Sequence, residues 1–332
     1  MPRQARIDTP GALHHVMVRG IERKKIFRDD KDRDDFLMRL GKILSETSTP
    51  CYAWALIPNH AHLLLRSGSA PLSHVMRRLL TGYAVKFNHR HRRHGKLFQN
   101  RYKSVLCQED PYFLELVRYI HLNPLRSGLV KNLDQLGRYR FSGHSVILGN
   151  RQNDWQDVDY VLSCFAQRRP TAKKRYLNHV RQGTQMGKRP DLVGGGLIRS
   201  LGGWSEVKSL RKGEIRLKGD ERILGDSDYV LDVLKEAQER LERKVELKAR
   251  GYTLDGLARR VAEIFHVPPE EIFSPGKYTK RVQARSVFSY WAVRELGETA
   301  SDIAKRIGIS QPAVSLSVER GGRIIREMGL VL

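Results

Sequence analysis

The sequence predicts an α+β protein in three parts: an antiparallel sheet with helices over residues 1–149, a helical and linker region over 150–247, and an all-α domain over 248–332. Three observations lead there. Up to about residue 149, short apolar and β-branched runs alternate with segments of helical spacing. Glycines cluster in the stretch 186–203, at Gly194-Gly195-Gly196 and Gly202-Gly203, as in a turn-rich connection. From about Lys248 onward the apolar spacing is helical almost throughout. A length of 332 residues suits two or three domains, and 40% hydrophobic content supports packed cores rather than disorder.

Taken in order, Leu13–Arg19 reads as a strand and Asp30–Thr47 as a helix, with Phe36, Leu37, Leu40, Ile43 and Leu44 on one side. Cys51–Ile57 and His60–Arg66 are two strands joined by the turn signal Pro58-Asn59. A helix follows over Leu72–His89, then a strand over Leu97–Gln108. The next helix opens at Asp110-Pro111 and is expected to stop near Asn123, because Pro124 lacks the N–H that would continue it. The order β-α-β-β-α-β-α suits a ferredoxin-like antiparallel sheet with helices on one face. In the middle region, Asp157–Gly183 reads as one basic helix and Asp226–Lys244 as another, with no chemistry assigned. In the last part, helices are expected at Leu254–Phe265, Gln283–Leu296, Ala300–Ile307 and Gln311–Arg320.

Charge narrows the partners. Sixty Lys+Arg against 36 Asp+Glu give a net charge of +24, which favours a polyanion, with nucleic acid foremost. The bland alternative is a basic solvated surface. Three cysteines, Cys51, Cys107 and Cys164, form no Cys-x-x-Cys pair, which argues against a disulfide framework or thiolate zinc site. No run is long enough to span a membrane, and the first residues lack a secretory signal's apolar stretch. The expectation is a cytoplasmic protein with no membrane partner.

Two elements could carry chemistry. In His60-Ala61-His62, a strand's period of two sends both imidazoles to the same face, as two ligands of one metal require. The competing reading is two histidines on a half-exposed sheet face. On the following helix, Tyr119 and Asn123 stand at i and i+4 and share a face. Alone, they read equally as a core tyrosine and a helix stop. Together, the two elements would put a phenol beside a cation held by two imidazoles and an amide oxygen. A tyrosine, with its ordinary pKa near ~10, needs such stabilisation to attack a phosphodiester.

The first part resembles the single-tyrosine HUH transposases, most closely the REP-associated tyrosine transposase branch. The resemblance rests on Gly11-Ala12-Leu13-His14-His15-Val16 with Arg19-Gly20, on Ile57-Pro58-Asn59-His60-Ala61-His62-Leu63-Leu64, on Phe98-Gln99-Asn100-Arg101-Tyr102-Lys103, and on the run from Tyr119 to Val130. It implies an HUH-type nuclease fold with Tyr119 as nucleophile and His60, His62 and Asn123 as ligands of Mg²⁺ or Mn²⁺. It also implies single-stranded, often hairpin, DNA substrates and a 5′-phosphotyrosine intermediate. Ile21 departs from the family, in which many members carry Asn after Arg-Gly; this puts that loop's DNA contact in doubt. Arg19, Arg101 and Lys103 are the DNA-contact candidates here, the last two expected on one face of their strand. They could instead be ordinary edge-strand charges. The run His89-Arg90-His91-Arg92-Arg93-His94 reads as a basic loop on the DNA path. A homodimer is a further option.

The last part has a helix-turn-helix pattern, with Ala304 at the crossing, Gly308 in the turn, and Ser310, Gln311, Ala313 and Ser315 towards a major groove. Lys277, Lys280, Arg281 and Arg285 lie just upstream as phosphate contacts. A structural helical hairpin would show the same pattern. The stretch from Thr253 to Ile325 resembles the DNA-binding domain of the bacterial chromosomal replication initiator, on Val261-Ala262-Glu263 and Ala292-Val293-Arg294-Glu295-Leu296. It departs at Ser310-Gln311-Pro312-Ala313, so the docking mode is expected to carry over but the base sequence is not. The leading expectation is a metal-dependent single-stranded DNA endonuclease and strand-transferase, targeted by a C-terminal duplex-binding domain. The alternatives are a catalytically inactive DNA-binding regulator, a domesticated processor of genomic hairpin repeats, and a histidine-dependent phosphoesterase. The last would need further paired motifs, and position 64, where a third alternating histidine would stand, is Leu.

Overall fold

Strands β1 (Leu13–Arg19), β2 (Cys51–Ile57) and β3 (His60–Arg66) form where the apolar runs place them. With β4 (Lys103–Cys107) and β5 (Ile223–Leu224) they make one sheet in the order β2-β3-β1-β4-β5. The first four pair antiparallel, and β5 adds parallel to β4. The computed structural model describes residues 7, 11–68, 70–187, 189, 192, 222–226, 228–235, 247, 252–274, 276 and 278–332. The Gly194–Gly196 and Gly202-Gly203 clusters, Lys277 and most of the helix expected over Asp226–Lys244 lie outside those residues; 228–235 are helical. Among the described residues no helix is long and apolar enough to cross a membrane.

Helices cover both faces of the sheet, which corrects the one-face expectation. On one face, Val16, Val18, Leu63 and Leu65 pack with Phe36 and Leu40 of α1 (Asp30–Glu46) and Val75 and Leu79 of α2 (Leu72–Arg90). This is the ferredoxin-like arrangement. On the other, Leu13, Leu64 and Val105 pack with Phe113, Leu116 and Ile120 of α3 (Glu109–Arg126). The second face is completed by α4 (Leu133–Arg138), α5 (Gly143–Ile147), α6 (Val158–Ser163) and α7 (Arg169–Gly183), through Leu136, Ile147, Val161 and Tyr176. The seven-residue strand β2 is buried throughout, as a continuous apolar run covered from both sides should be.

Three local expectations also change. The strand expected over Leu97–Gln108 shortens to β4, because the ladder that ends at Met17–Lys103 resumes only at the single bridge Gly20–Phe98. Arg101 therefore lies in a bend outside the strand. Helix α3 starts at Glu109 rather than Asp110 and runs through Pro124 to Arg126. Proline removes the bond that the Ile120 carbonyl would receive, and the side-chain amide of Asn123 reaches that carbonyl at 3.4 Å and the Tyr119 carbonyl at 2.9 Å. The single helix expected over Asp157–Gly183 is two helices, α6 and α7, separated at residues 164–168.

The chain divides into two compact units, Met1–Asp232 and Val233–Leu332, rather than at residues 149 and 247. Residues of α6 and α7 bury their apolar sides in the same cluster as α3, so the start of the middle region belongs to the first unit. In the second unit, α8 (Leu254–Phe265), α9 (Pro269–Phe273), α10 (Thr279–Arg294), α11 (Ala300–Ile307) and α12 (Gln311–Met328) surround Val261, Phe288, Trp291, Ile303 and Val314. Gly308, at φ 74°, turns α11 into α12. Gly321 lets α12 cross α10 closely: an added Cβ would sit 2.0 Å from the Ser286 carbonyl oxygen.

Candidate active site

Strand register builds the site first. Arg19 pairs with His60 and Met17 with His62 across β1 and β3, while Met17 also pairs with Lys103 on β4. Residues opposite each other in a ladder share a face. Arg19, His60, His62 and Lys103 therefore stand on the face that carries α3, and Arg101 does not join them.

The imidazoles are close and largely withdrawn from water. The rings of His60 and His62 lie 5.0 Å apart, and His62 is buried. His15, two residues before Met17 on β1, stacks on His62 at 5.2 Å and is fully buried. Its Nε2 lies 3.0 Å from Nδ1 of His62, and its Nδ1 lies 3.2 Å from the Leu192 carbonyl oxygen. His60 Nδ1 lies 2.7 Å from the Asn59 side-chain oxygen. Burial holds the pKa of His60 down to about 4, with the positive charge of Arg19 adding to it. Burial likewise pushes His62 well below the ordinary histidine range, helped by His15, His60 and Arg19. Both imidazoles are therefore neutral at pH 7, the form in which histidine has a lone pair to give.

Helix α3 brings the phenol over this pair. Tyr119 sits edge-on to His62 and to His15, each at 5.9 Å between ring centres. The Arg126 guanidinium, seven residues on and so on the same helical face, lies 5.3 Å over the Tyr119 ring. Asn123 is buried one turn after Tyr119, its Nδ2 spent on the carbonyls of Tyr119 and of Ile120, the latter the one that Pro124 leaves without its helical bond. His15 and Arg126 are additions to the site that the sequence pattern left without a role. Their signals were there: His15 alternates with Met17 and Arg19 on one strand face, and Arg126 follows Tyr119 by two helical turns.

The imidazoles of His60 and His62, neutral and close together, are the nitrogen donors a divalent cation could use here. Among the described residues no three His, Cys, Asp or Glu side chains converge on one point. The Nδ1 atoms of His60 and His62 are both engaged, and their Nε2 atoms make no hydrogen bond among the described residues. Asn123 uses its nitrogen on the backbone, which turns its acceptor oxygen elsewhere.

The C-terminal candidates are spread differently. Lys280 is exposed. Arg281 is held by Glu271 at 2.5 Å. Arg285, expected to meet DNA, is buried and donates to the carbonyls of Ser274 at 2.6 Å and Gly276 at 3.5 Å. Its apolar neighbours on α10 carry it inwards, so it braces the loop before that helix. Ser310 caps α12 by accepting from the Ala313 amide at 3.4 Å, and Gln311 is half-exposed at the start of that helix.

Residues 10–123 match the family model of the IS200-like transposases. The match contains His60, His62, Tyr119 and Asn123, and it supports a transposase-type, DNA-processing function for this part of the chain. Among solved structures, the chain is similar to a REP-associated tyrosine transposase bound to a REP hairpin, with 18% identity and a TM-score of 0.37, over 47% of this chain and 94% of that one. No curated protein matches the chain.

Proposed function

We propose that the first unit is a divalent-metal-dependent endonuclease and strand-transferase for single-stranded DNA, with Tyr119 as its nucleophile. The observation that carries the reading is the phenol of Tyr119 set edge-on to His62, on a helix that also presents Asn123. The phenolic oxygen attacks a backbone phosphorus, a P–O bond to Tyr119 forms, and the P–O3′ bond breaks. The strand's 5′-phosphate remains on Tyr119, and the departing 3′-oxygen takes up a proton. Because the phosphotyrosine keeps the energy of the broken bond, a free 3′-hydroxyl can later reverse the step and join the strand elsewhere. The 5′ polarity and the hairpin substrate follow the family resemblance. A Mg²⁺ or Mn²⁺ ion, when bound, would supply positive charge against the oxygens of the scissile phosphate. His60, His62 and Asn123 would hold it. The guanidinium of Arg126 keeps positive charge at the Tyr119 ring, where negative charge develops as the proton leaves.

The second unit binds duplex DNA, with α12 as the element that enters the major groove and Gln311 near its start. The turn at Gly308 and the exposed Lys280 support that reading. Incubating the full chain with labelled single-stranded hairpin DNA and Mn²⁺ tests the chemistry. The expected product is a denaturant-resistant protein–DNA adduct mapping to Tyr119. Mapping to Tyr102 or Tyr112 instead, or undiminished cleavage in excess chelator, overturns it.

A further inference from the structure

The hydrogen bonds around His15 determine where two protons sit. A carbonyl oxygen only accepts, so the 3.2 Å contact with Leu192 requires the proton of His15 on Nδ1. A neutral imidazole carries one N–H, which leaves His15 Nε2 as an acceptor. The group 3.0 Å away is Nδ1 of His62, and it must therefore donate. The lone pair of His62 is left on Nε2.

His60 reaches the same state by a separate route. The Asn59 amide donates through Nδ2 to the Arg23 carbonyl at 3.2 Å, which identifies its other atom as the oxygen facing His60 Nδ1. His60 thus also donates from Nδ1 and keeps its lone pair on Nε2. The two imidazoles share one tautomer, each imposed by a different neighbour.

We propose that His15 is a positioning residue that holds His62 in the Nδ1–H tautomer, so that Nε2 of His62 is the atom offered to the divalent cation. This rests on the proposed metal role of His60 and His62. Imidazoles that bind metals commonly donate their second N–H to a fixed acceptor, which sets both tautomer and ring orientation. Here the acceptor is itself a histidine, and its own tautomer is anchored by a backbone carbonyl 177 positions along the chain. Leu192, in the middle region, thereby takes part in the site through its main chain.

Two substitutions in the full chain separate this role from simple packing. His15→Gln can copy the relay, its amide nitrogen donating to Leu192 and its oxygen accepting from His62. His15→Leu fills a similar volume and can do neither. Nitrogen-15 NMR of the metal-free, histidine-labelled protein reads the tautomers directly. His62 is expected as Nδ1–H in the wild type and in His15→Gln, and as a mixture in His15→Leu. Mn²⁺ affinity, followed by the EPR signal of the free ion, is expected to stay close to wild type for Gln. For Leu it should fall roughly 10- to 100-fold. A wild-type His62 protonated on Nε2 overturns the proposal, as does equal Mn²⁺ affinity in the Leu variant or its loss in a folded Gln variant. A wild type that binds no Mn²⁺, with the tautomers as stated, defeats the metal reading instead.

Discussion

In the first unit the polar groups that matter lie inside: His15, His62 and Asn123 are buried between a sheet and α3, each with a named hydrogen-bond partner. In the second unit the equivalent candidates sit at a surface, where Lys280 and Ser310 are exposed, and the cation drawn inward, Arg285, has become a brace. The difference teaches that polar residues are legible from sequence where a regular ladder dictates their direction. Successive strand residues alternate faces strictly, so His60 and His62 had to point together. On a helix packed on most sides, a basic residue can turn either way, and only its neighbours decide.

Substitutions can break that contrast, beginning with the largest effect. Tyr119→Phe keeps the ring and its packing but removes the attacking oxygen. Adduct and cleavage should fall by roughly 10³-fold or more, while duplex binding by the full chain is retained. A gel assay with hairpin DNA measures the first and fluorescence anisotropy with duplex DNA the second. Joint loss of both would mean the units do not act separately.

Gly321→Ala is the converse. The added methyl meets the Ser286 backbone where α10 and α12 cross, and the second unit should lose about 1–3 kcal/mol or more. Duplex affinity should drop with adduct formation unchanged. A variant that melts as the wild type would show that the crossing relaxes freely.

Acid should act on the first unit alone. Eleven of the twelve histidines precede residue 233, the exception being His266. Burial holds His60 and His144 at about 4 and also pushes His62 and His121 well below the ordinary histidine range. These folded-state values lie below the unfolded value near ~6.5, so the unfolded chain binds more protons as pH falls. Their contribution is complete above about pH 6.5 and is lost as pH drops towards 4. Each unit of depression corresponds to about 1.4 kcal/mol, and each kcal/mol lost lowers the melting temperature of a domain this size by about 2–4 °C. Calorimetry at pH 7 and pH 5 should show the first unit's transition moving and the second's staying. Equal shifts would contradict the burial pattern.

The smallest effects sharpen the picture of the second unit. Arg285→Ala should cost about 1–3 kcal/mol of stability, because the carbonyls of Ser274 and Gly276 lose their donor. Its salt dependence of duplex binding should match wild type. Lys280→Ala should do the reverse, leaving stability alone and reducing the salt slope by about one. The opposite assignment from these two titrations would return Arg285 to the DNA surface.

Much of this is legible in the sequence alone. Periodicity marked β1, β2 and β3 to the residue, and the ferredoxin-like order followed from it. The i and i+4 spacing joined Tyr119 to Asn123, and the His-x-His pair shared a face because a strand leaves no alternative. These are local geometric facts, carried by fewer than eight consecutive residues. Three things needed the folded chain. Pro124 was expected to end its helix, yet Asn123 satisfies the orphaned carbonyl and the helix continues. α3 crosses to the second face because β2 and its neighbours have apolar side chains on both sides to cover. His15 reaches His62 and Leu192 only when strands and chain segments far apart in sequence are packed together. Short-range spacing sets which way a side chain points; which partner it meets, and so which proton it holds, depends on contacts between distant segments.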